Sequence, residues 1–222
     1  MNVTFETVKN NHEINTYIRQ ADASMIALGF TEHSFAHVGK CASVASKLLS
    51  DLDYPAREVE LAKIAGYMHD IGNVINRIDH AQSGAVMAFR ILDKLGMPPE
   101  DVATVITAIG NHDEHTAHPV NAVAAALIIA DKSDVRRSRV RADNMENIKG
   151  DIHDRVNYAV ENAELTLDKE AGAITLSMNI DQRMCSVMDY FEIFTTRMLL
   201  CRKAAAFLGL KFKLVIDDAV IM

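Results

Sequence analysis

The chain has 222 residues and a formal charge of −7, with 49% apolar residues, 9 His, 3 Cys, 4 Pro and no Trp. The apolar fraction excludes a disordered chain, the modest Gly and Pro content excludes a fibrous or low-complexity one, and the acidic balance argues against a protein whose task is to grip a nucleic-acid polymer by its phosphates. Nine His in an acidic chain is the unusual entry, because His is both a common metal ligand and the side chain that titrates near neutral pH.

Helical periodicity dominates the first two thirds. Ile14, Tyr17, Ile18, Ala21 and Met25 predict a first helix with Gly29 near its end, and Phe35, Val38, Ala42, Ala45, Leu48 and Leu49 predict a second. A third is expected from about Pro55 to His69, with Val59, Ala62, Ala65 and Met68 on one face. A fourth runs from about Asp79 to Leu95 and is stopped by Gly96 and the Pro98-Pro99 pair. A fifth spans Pro99 to about Asn111. A sixth, Asn121 to about Asp134, is apolar almost all round, as a central buried helix should be.

After about residue 150 the pattern changes. Glu164 to Asp168 and Ile174 to Ile180 read as strands joined by Lys169-Glu170-Ala171-Gly172, a β-hairpin. A long helix from about Gln182 to Leu208, ended by Gly209, and a strand over Lys211 to Ile216 complete the chain. The fold class expected is mainly α: a helical domain over residues 1–150 followed by a small α+β unit over residues 151–222, with the boundary inside 142–160.

Met1 to Asn10 shows no basic segment followed by an apolar core, and the longest apolar run, Val123 to Ala130, is far short of the ~20 residues that span a bilayer. Cys41, Cys185 and Cys201 are odd in number and lack CxxC spacing, which argues against a disulfide framework or zinc knuckle. The expectation is a cytoplasmic chain with reduced thiols, no membrane association, and Cys41 as a small core residue.

One dipeptide anchors the functional reading: His69-Asp70, followed by Ile71-Gly72. Adjacent residues in mid-helix point ~100° apart and rarely serve one ion. At a helix end that constraint relaxes, and Gly72 can take backbone angles closed to other residues, letting the last turn unwind. Imidazole with carboxylate suits several divalent metals. The neighbouring helices offer more ligands of the same kind. His37 lies on the stripe with Cys41, Ala42 and Ala45; His80 begins a helix and is followed by Ser83-Gly84-Ala85; His112 ends another. Asp131 follows Leu127-Ile128-Ile129-Ala130, where a carboxylate must be paired or metal-bound, since an isolated buried charge is costly. His33 lies four residues before His37 on the same face and could take its role. His115 and His118 belong to a polar loop, and His12 and His153 read as ordinary surface positions.

This ordering resembles the HD-domain superfamily of metal-dependent phosphohydrolases. The resemblance covers roughly residues 31–141 and rests on His37, His69-Asp70-Ile71-Gly72, His80-Ala81-Gln82-Ser83-Gly84-Ala85, Asn111-His112-Asp113-Glu114 and Ala130-Asp131. It implies a helical bundle with the site at its centre. It also implies one metal held by His37, His69, Asp70 and Asp131, and a second site at His80 and His112 with Asp70 bridging. Cys41 stands where the family usually has a branched apolar residue, and Asp113 where several dinuclear members have a second His; Asp113 and His115 could compensate. The chain lacks the Gly-Tyr-Pro signature of the subgroup that cleaves cyclic dinucleotides.

The chemistry so implied is hydrolysis of a phosphate ester, a nucleotide or another small phosphorylated metabolite, by metal-activated water. Asp70, His80 and His112 would be catalytic, with one or two ions drawn from Mn, Fe, Co, Ni, Zn or Mg. Lys132, Arg136 and Arg137, with Arg139 and Arg141 after them, form a basic segment in an acidic chain and suit a phosphorylated substrate, as does His115. The alternative is a nucleotide- or metal-sensing regulatory module that keeps the ligands without turnover. The C-terminal unit, a small sheet with exposed edges, suggests a homodimer.

Overall fold

The computed structural model describes residues 3–141, 146, 148 and 151–222. The chain divides into two compact units, Met1–Asp131 and Lys132–Met222. The expected boundary at residue 150 falls on residues outside those described.

The first unit is helical throughout: α1 (Phe5–Lys9), α2 (His12–Ala27), α3 (Phe35–Asp51), α4 (Ala56–Met68), α5 (His80–Lys94), α6 (Pro99–Gly110) and α7 (Ala122–Lys132). Local chemistry sets the boundaries. The Asn11 and Ser34 side chains accept from the Ile14 and Ala36 amides at the starts of α2 and α3. Asn121 Oδ1 accepts from the Ala124 amide at 2.7 Å, so α7 has an N-cap. Pro99 sits in the first turn of α6, where its missing N–H is no loss. Gly29 and Gly96, both at φ 79°, turn the chain after α2 and α5. The short α1 was not expected from the sequence; it has only Phe5 and Val8 to bury.

Small residues bring these helices together. A Cβ on Gly66 of α4 would stand 2.7 Å from both the Cα and N of Ala42 on α3, so the two backbones meet at a distance only Gly permits. Ala122 to Ala130 of α7 are all buried, as its all-round apolar sequence requires. At the unit's edge, Arg57 bonds Asp101 through Nε and Nη2 (3.0 and 2.7 Å) and gives Nη1 to Glu60 and the Val3 carbonyl.

The second unit holds α8 (Ile152–Ala159), β1 (Val160–Asp168), β2 (Ala173–Ile180), α9 (Val187–Phe207), β3 (Lys211–Ile216) and β4 (Ala219–Val220). The sheet order is β1-β2-β3-β4. β1 and β2 form the expected antiparallel hairpin, with Gly172 at φ 58° in its turn. β3 pairs parallel to β2, which requires the crossover that α9 supplies. The helix starts at Val187 rather than at Gln182, because Ser186 and Asp189 close a capping box there. Neither α8 nor the two-residue β4 was expected. Tyr190 and Phe194 of α9 are fully buried, as are alternate residues of β2 and β3.

No helix among the described residues is long and apolar enough to cross a membrane.

Candidate metal centre

The centre lies wholly within the first unit. His69 closes α4, Asp70 opens a 3-10 turn over Ile71–Val74, and the chain leaves the α-helix between the two side chains. That break removes the angular divergence that would keep neighbouring ligands apart. The sequence reading assigned this change of path to unusual backbone angles at Gly72. The structure corrects it: among the described residues the glycines with positive φ are Gly29, Gly96, Gly172 and Gly209. Gly72 acts through size instead. A Cβ there would lie 2.0 Å from the His80 carbonyl oxygen and 2.5 Å from the Gly84 nitrogen, so its absence lets the start of α5 close onto the turn.

Asp70 is the hub, and its two oxygens face different histidines. Oδ2 lies 3.5 Å from His37 Nε2 and 3.3 Å from His69 Nε2. Oδ1 lies 3.5 Å from His80 Nε2 and 3.9 Å from His112 Nε2. Asn73 Nδ2 donates to Oδ1 at 2.9 Å and steadies the carboxylate. Asp131 adds Oδ1 at 3.4 Å from His37 Nε2 and 3.9 Å from His69 Nε2. Asp113 Oδ1 approaches His80 Nε2 at 4.0 Å, on the side where the sequence departs from the family pattern.

The ring orientations are fixed from behind. His69 Nδ1 is 2.9 Å from the Gly66 carbonyl, His80 Nδ1 2.9 Å from that of Arg77, and His112 Nδ1 2.6 Å from that of Ile109. A carbonyl only accepts, so each Nδ1 carries the proton and, in the neutral ring, each Nε2 presents a lone pair to the centre. The consequence is electrostatic. His80 Nε2 and His112 Nε2 face each other at 3.2 Å, and His69 Nε2 is buried with no hydrogen-bond partner while facing two carboxylates. Converging lone pairs and carboxylates require a positive charge among them. His37, His69, His80 and His112 are all buried, so bulk water does not supply the compensation.

The titration directions agree. Burial alone would lower the His69 pKa, but the Asp70 and Asp131 carboxylates outweigh it and raise it. Burial would raise that of Asp70, but His69, His33 and His37 hold it well below the usual carboxylate range. Burial lowers that of His80, against Asp70 and with the help of Arg77.

The donor set fits a divalent ion. His37, Cys41, His69 and Asp131 offer ligand atoms within 4.8 Å of one another, as do His69, Asp70 and His112. Nitrogen and carboxylate donors of this kind suit Mn, Fe, Co, Ni or Zn. Sequence reasoning gave Cys41 only a packing role, yet its Sγ lies 3.7 and 3.8 Å from the two ring nitrogens of His37. His33 is buried with its ring edge-on to His37, centroids 5.6 Å apart, and its Nδ1 is 2.7 Å from the Thr31 carbonyl.

His115 is exposed in the loop after α6 and makes no hydrogen bond or ion pair among the described residues. That loop is tied to α5 by Gln82, which donates to Thr116 Oγ1 at 3.1 Å. Lys132 is buried at the end of α7. In the second unit Arg136 Nε pairs with Asp134 at 3.0 Å, and Arg137 donates to the Tyr158 carbonyl at 2.6 Å with its guanidinium over the Tyr158 ring. Sequence reasoning overlooked Arg77. Its Nη1 is 3.3 Å from His80 Nε2 and 3.3 Å from Asn73 Oδ1, and the only signal was a lone basic residue just before a ligand-type His.

An uncharacterized protein of Methanocaldococcus jannaschii is 22% identical over 183 residues, 72% of this chain and 70% of that protein. The crystal structure of a predicted HD superfamily hydrolase from an uncultured Thermotogales bacterium is 28% identical, with a TM-score of 0.44 over 56% of this chain and 67% of that one. A family model described as the HD domain matches residues 34–149, a span that contains every member of the His/Asp cluster. The chain belongs to the HD-domain family.

Proposed function

We propose that the protein is a divalent-metal-dependent phosphohydrolase acting on a small phosphate ester such as a nucleotide. HD domains bind divalent metals, and this chain carries a His/Asp cluster whose donor atoms lie close enough together to hold one. The observation that carries the reading is the division of Asp70, with one oxygen toward His37 and His69 and the other toward His80 and His112. That arrangement suits a bridging carboxylate between two ion positions.

In this reading His37, His69, Asp70 and Asp131 hold one ion, and His80 and His112 hold a second with Asp70 shared. Such ions, when bound, supply an activated water near neutral pH and neutralise charge on phosphoryl oxygens. The chain's own part is to present the ligands already oriented. The carbonyls of Gly66, Arg77 and Ile109 hold the His69, His80 and His112 rings in one tautomer, so little reorganisation accompanies loading. A ring of the His80 and His112 pair that is not ligating can take up a proton at Nε2, with Nδ1–H kept on its carbonyl, and pass that proton to a leaving oxygen. Asn73 keeps Asp70 from rotating by donating to Oδ1.

Elemental analysis of the purified protein, followed by a phosphate-release screen over nucleotides and simple phosphomonoesters with Mn, Fe, Co, Ni, Zn and Mg, tests the reading. The expected result is bound metal and turnover with at least one pair. Asp70→Ala removes the hub and should abolish both metal retention and activity. Retention of both in that variant refutes the site, and metal without turnover in the wild type moves the protein to the sensing alternative.

A further inference from the structure

Arg77 stands at the edge of the centre with most of its hydrogen-bonding capacity unspent. It is half-buried, and its only hydrogen bonds among the described residues run from Nη1, to Asn73 Oδ1 and His80 Nε2, both at 3.3 Å. Nε and Nη2 have no partner among the described residues, and no carboxylate there lies within 4.0 Å of the guanidinium. Arg57, at a comparable depth, instead bonds Asp101 and the Val3 carbonyl. A guanidinium that is partly withdrawn from water, carries five N–H donors and lacks an acidic partner is poised for an anion from outside.

Its surroundings narrow the anion's chemistry. The guanidinium carbon lies 5.7 Å from the centroid of Phe30, which holds the fork against a ring that is 42% exposed. Ile75 and Ile78, on either side of Arg77 in the chain, are 64% and 76% exposed. An apolar ring left in water beside a charged group, with two exposed isoleucines close to that group in the chain, is what a ligand with both an anionic and an apolar part would cover.

We propose that Arg77 grips two non-bridging oxygens of the substrate's phosphoryl group beside His80, and that Phe30 with Ile75 and Ile78 selects a phosphomonoester whose ester group is apolar or aromatic. This rests on the phosphohydrolase reading and names its substrate class. The assignment differs from the sequence expectation, which placed phosphate contacts at Lys132, Arg136 and Arg137.

The test is calorimetric titration of the manganese-loaded protein with methylphosphonate and phenylphosphonate, which carry the oxygens but are not hydrolysed. The wild type should bind both, phenylphosphonate more tightly. Arg77→Gln should weaken both by about tenfold or more, the size of a lost charge-assisted pair, with manganese content unchanged. Arg77→Lys should recover only part of this, because it keeps the charge and loses the fork. Phe30→Ala should erase the phenyl preference and change methylphosphonate affinity by about twofold at most. Equal phosphonate affinity in Arg77→Gln, loss of manganese in that variant, or no phosphonate binding by the wild type overturns the proposal. Arg77-dependent binding without turnover of any ester would refute the hydrolase reading while leaving the anion site intact; turnover with unaffected phosphonate binding would do the reverse.

Discussion

Gly72 shows how a single residue can be legible in the sequence for the wrong reason. Its position two residues after Asp70 marked it as part of the site, and a helix end did follow. Its role is to admit the His80 carbonyl and the Gly84 nitrogen, which no local pattern encodes because both belong to another helix. Arg77 and the carbonyls behind His69, His80 and His112 are closer at hand, each three residues before the His it meets, yet residue type does not mark them. Ligand identities were readable from residue type and order, whereas the groups that orient them depend on how the chain turns after each helix. The size argument makes a prediction. In Gly72→Ala the new methyl meets backbone atoms at 2.0 and 2.5 Å, which cannot swing aside as a side chain would. The expected cost is ~2 kcal/mol or more, at the upper end of overpacking effects, together with weakened metal retention because α5 carries His80. Thermal unfolding and elemental analysis of the variant check both; an unchanged midpoint would mean that α5 moves freely against the turn.

At the scale of elements, α2 to α6 were readable because each has an apolar stripe and a terminal signal, and α7 because it is apolar on all sides, whereas the five-residue α1 has too short a stripe to show. The second unit was less so. β1 begins at Val160 although Val160-Glu161-Asn162-Ala163 has no convincing alternation, because pairing with β2 holds that stretch extended. The start of α9 was misplaced although Ser186-Val187-Met188-Asp189 is a capping-box pattern in plain sight. The β3–β4 turn was missed because only two residues follow it in the sheet. Its Asp217 and Asp218 both take positive φ (48° and 65°), as a tight hairpin turn demands. Asp217 also accepts from the Ile180 amide at 3.0 Å and from Gln182 Nε2 at 2.9 Å, tying the turn to the end of β2. The Gln182 bond first and the Ile180 amide second lower its pKa below the usual carboxylate value. Its stabilising contribution is therefore complete above the unfolded value of about 3.9 and is lost as pH falls through the lower folded value. Asp217→Asn tolerates the positive φ but removes the charge. Its stability should fall less steeply than that of the wild type below about pH 4, measured by urea unfolding at stepped pH. Parallel acid limbs for the two proteins would exclude Asp217 as a contributor.

For the whole molecule, the two units raise different questions. The first carries every group of the candidate centre, whereas the second carries a sheet with an open edge. Among the described residues β1, nine residues long, pairs on one side only, which leaves a row of backbone donors and acceptors without a strand partner there, while the opposite edge is the two-residue β4. Such an edge is commonly covered by a second chain or blunted by charge. Both devices bear on this strand. Met188 and Phe207 of α9, 74% and 47% exposed, give the same unit apolar surface to bury, but Glu161 and Glu164 lie on the edge strand itself in a chain of charge −7. We therefore expect a homodimer formed through the second unit and opposed by acidic repulsion. Light scattering at micromolar concentration should give twice the 24.5 kDa chain mass. The dimer should tighten as salt rises, because at ~1 M ionic strength the screening length falls to about 3 Å and the like charges no longer oppose each other. A monomer mass at both low and high salt would refute the dimer, because carboxylates screened at high salt cannot be what keeps the copies apart. Dissociation on adding salt would instead mean that oppositely charged pairs hold the copies together.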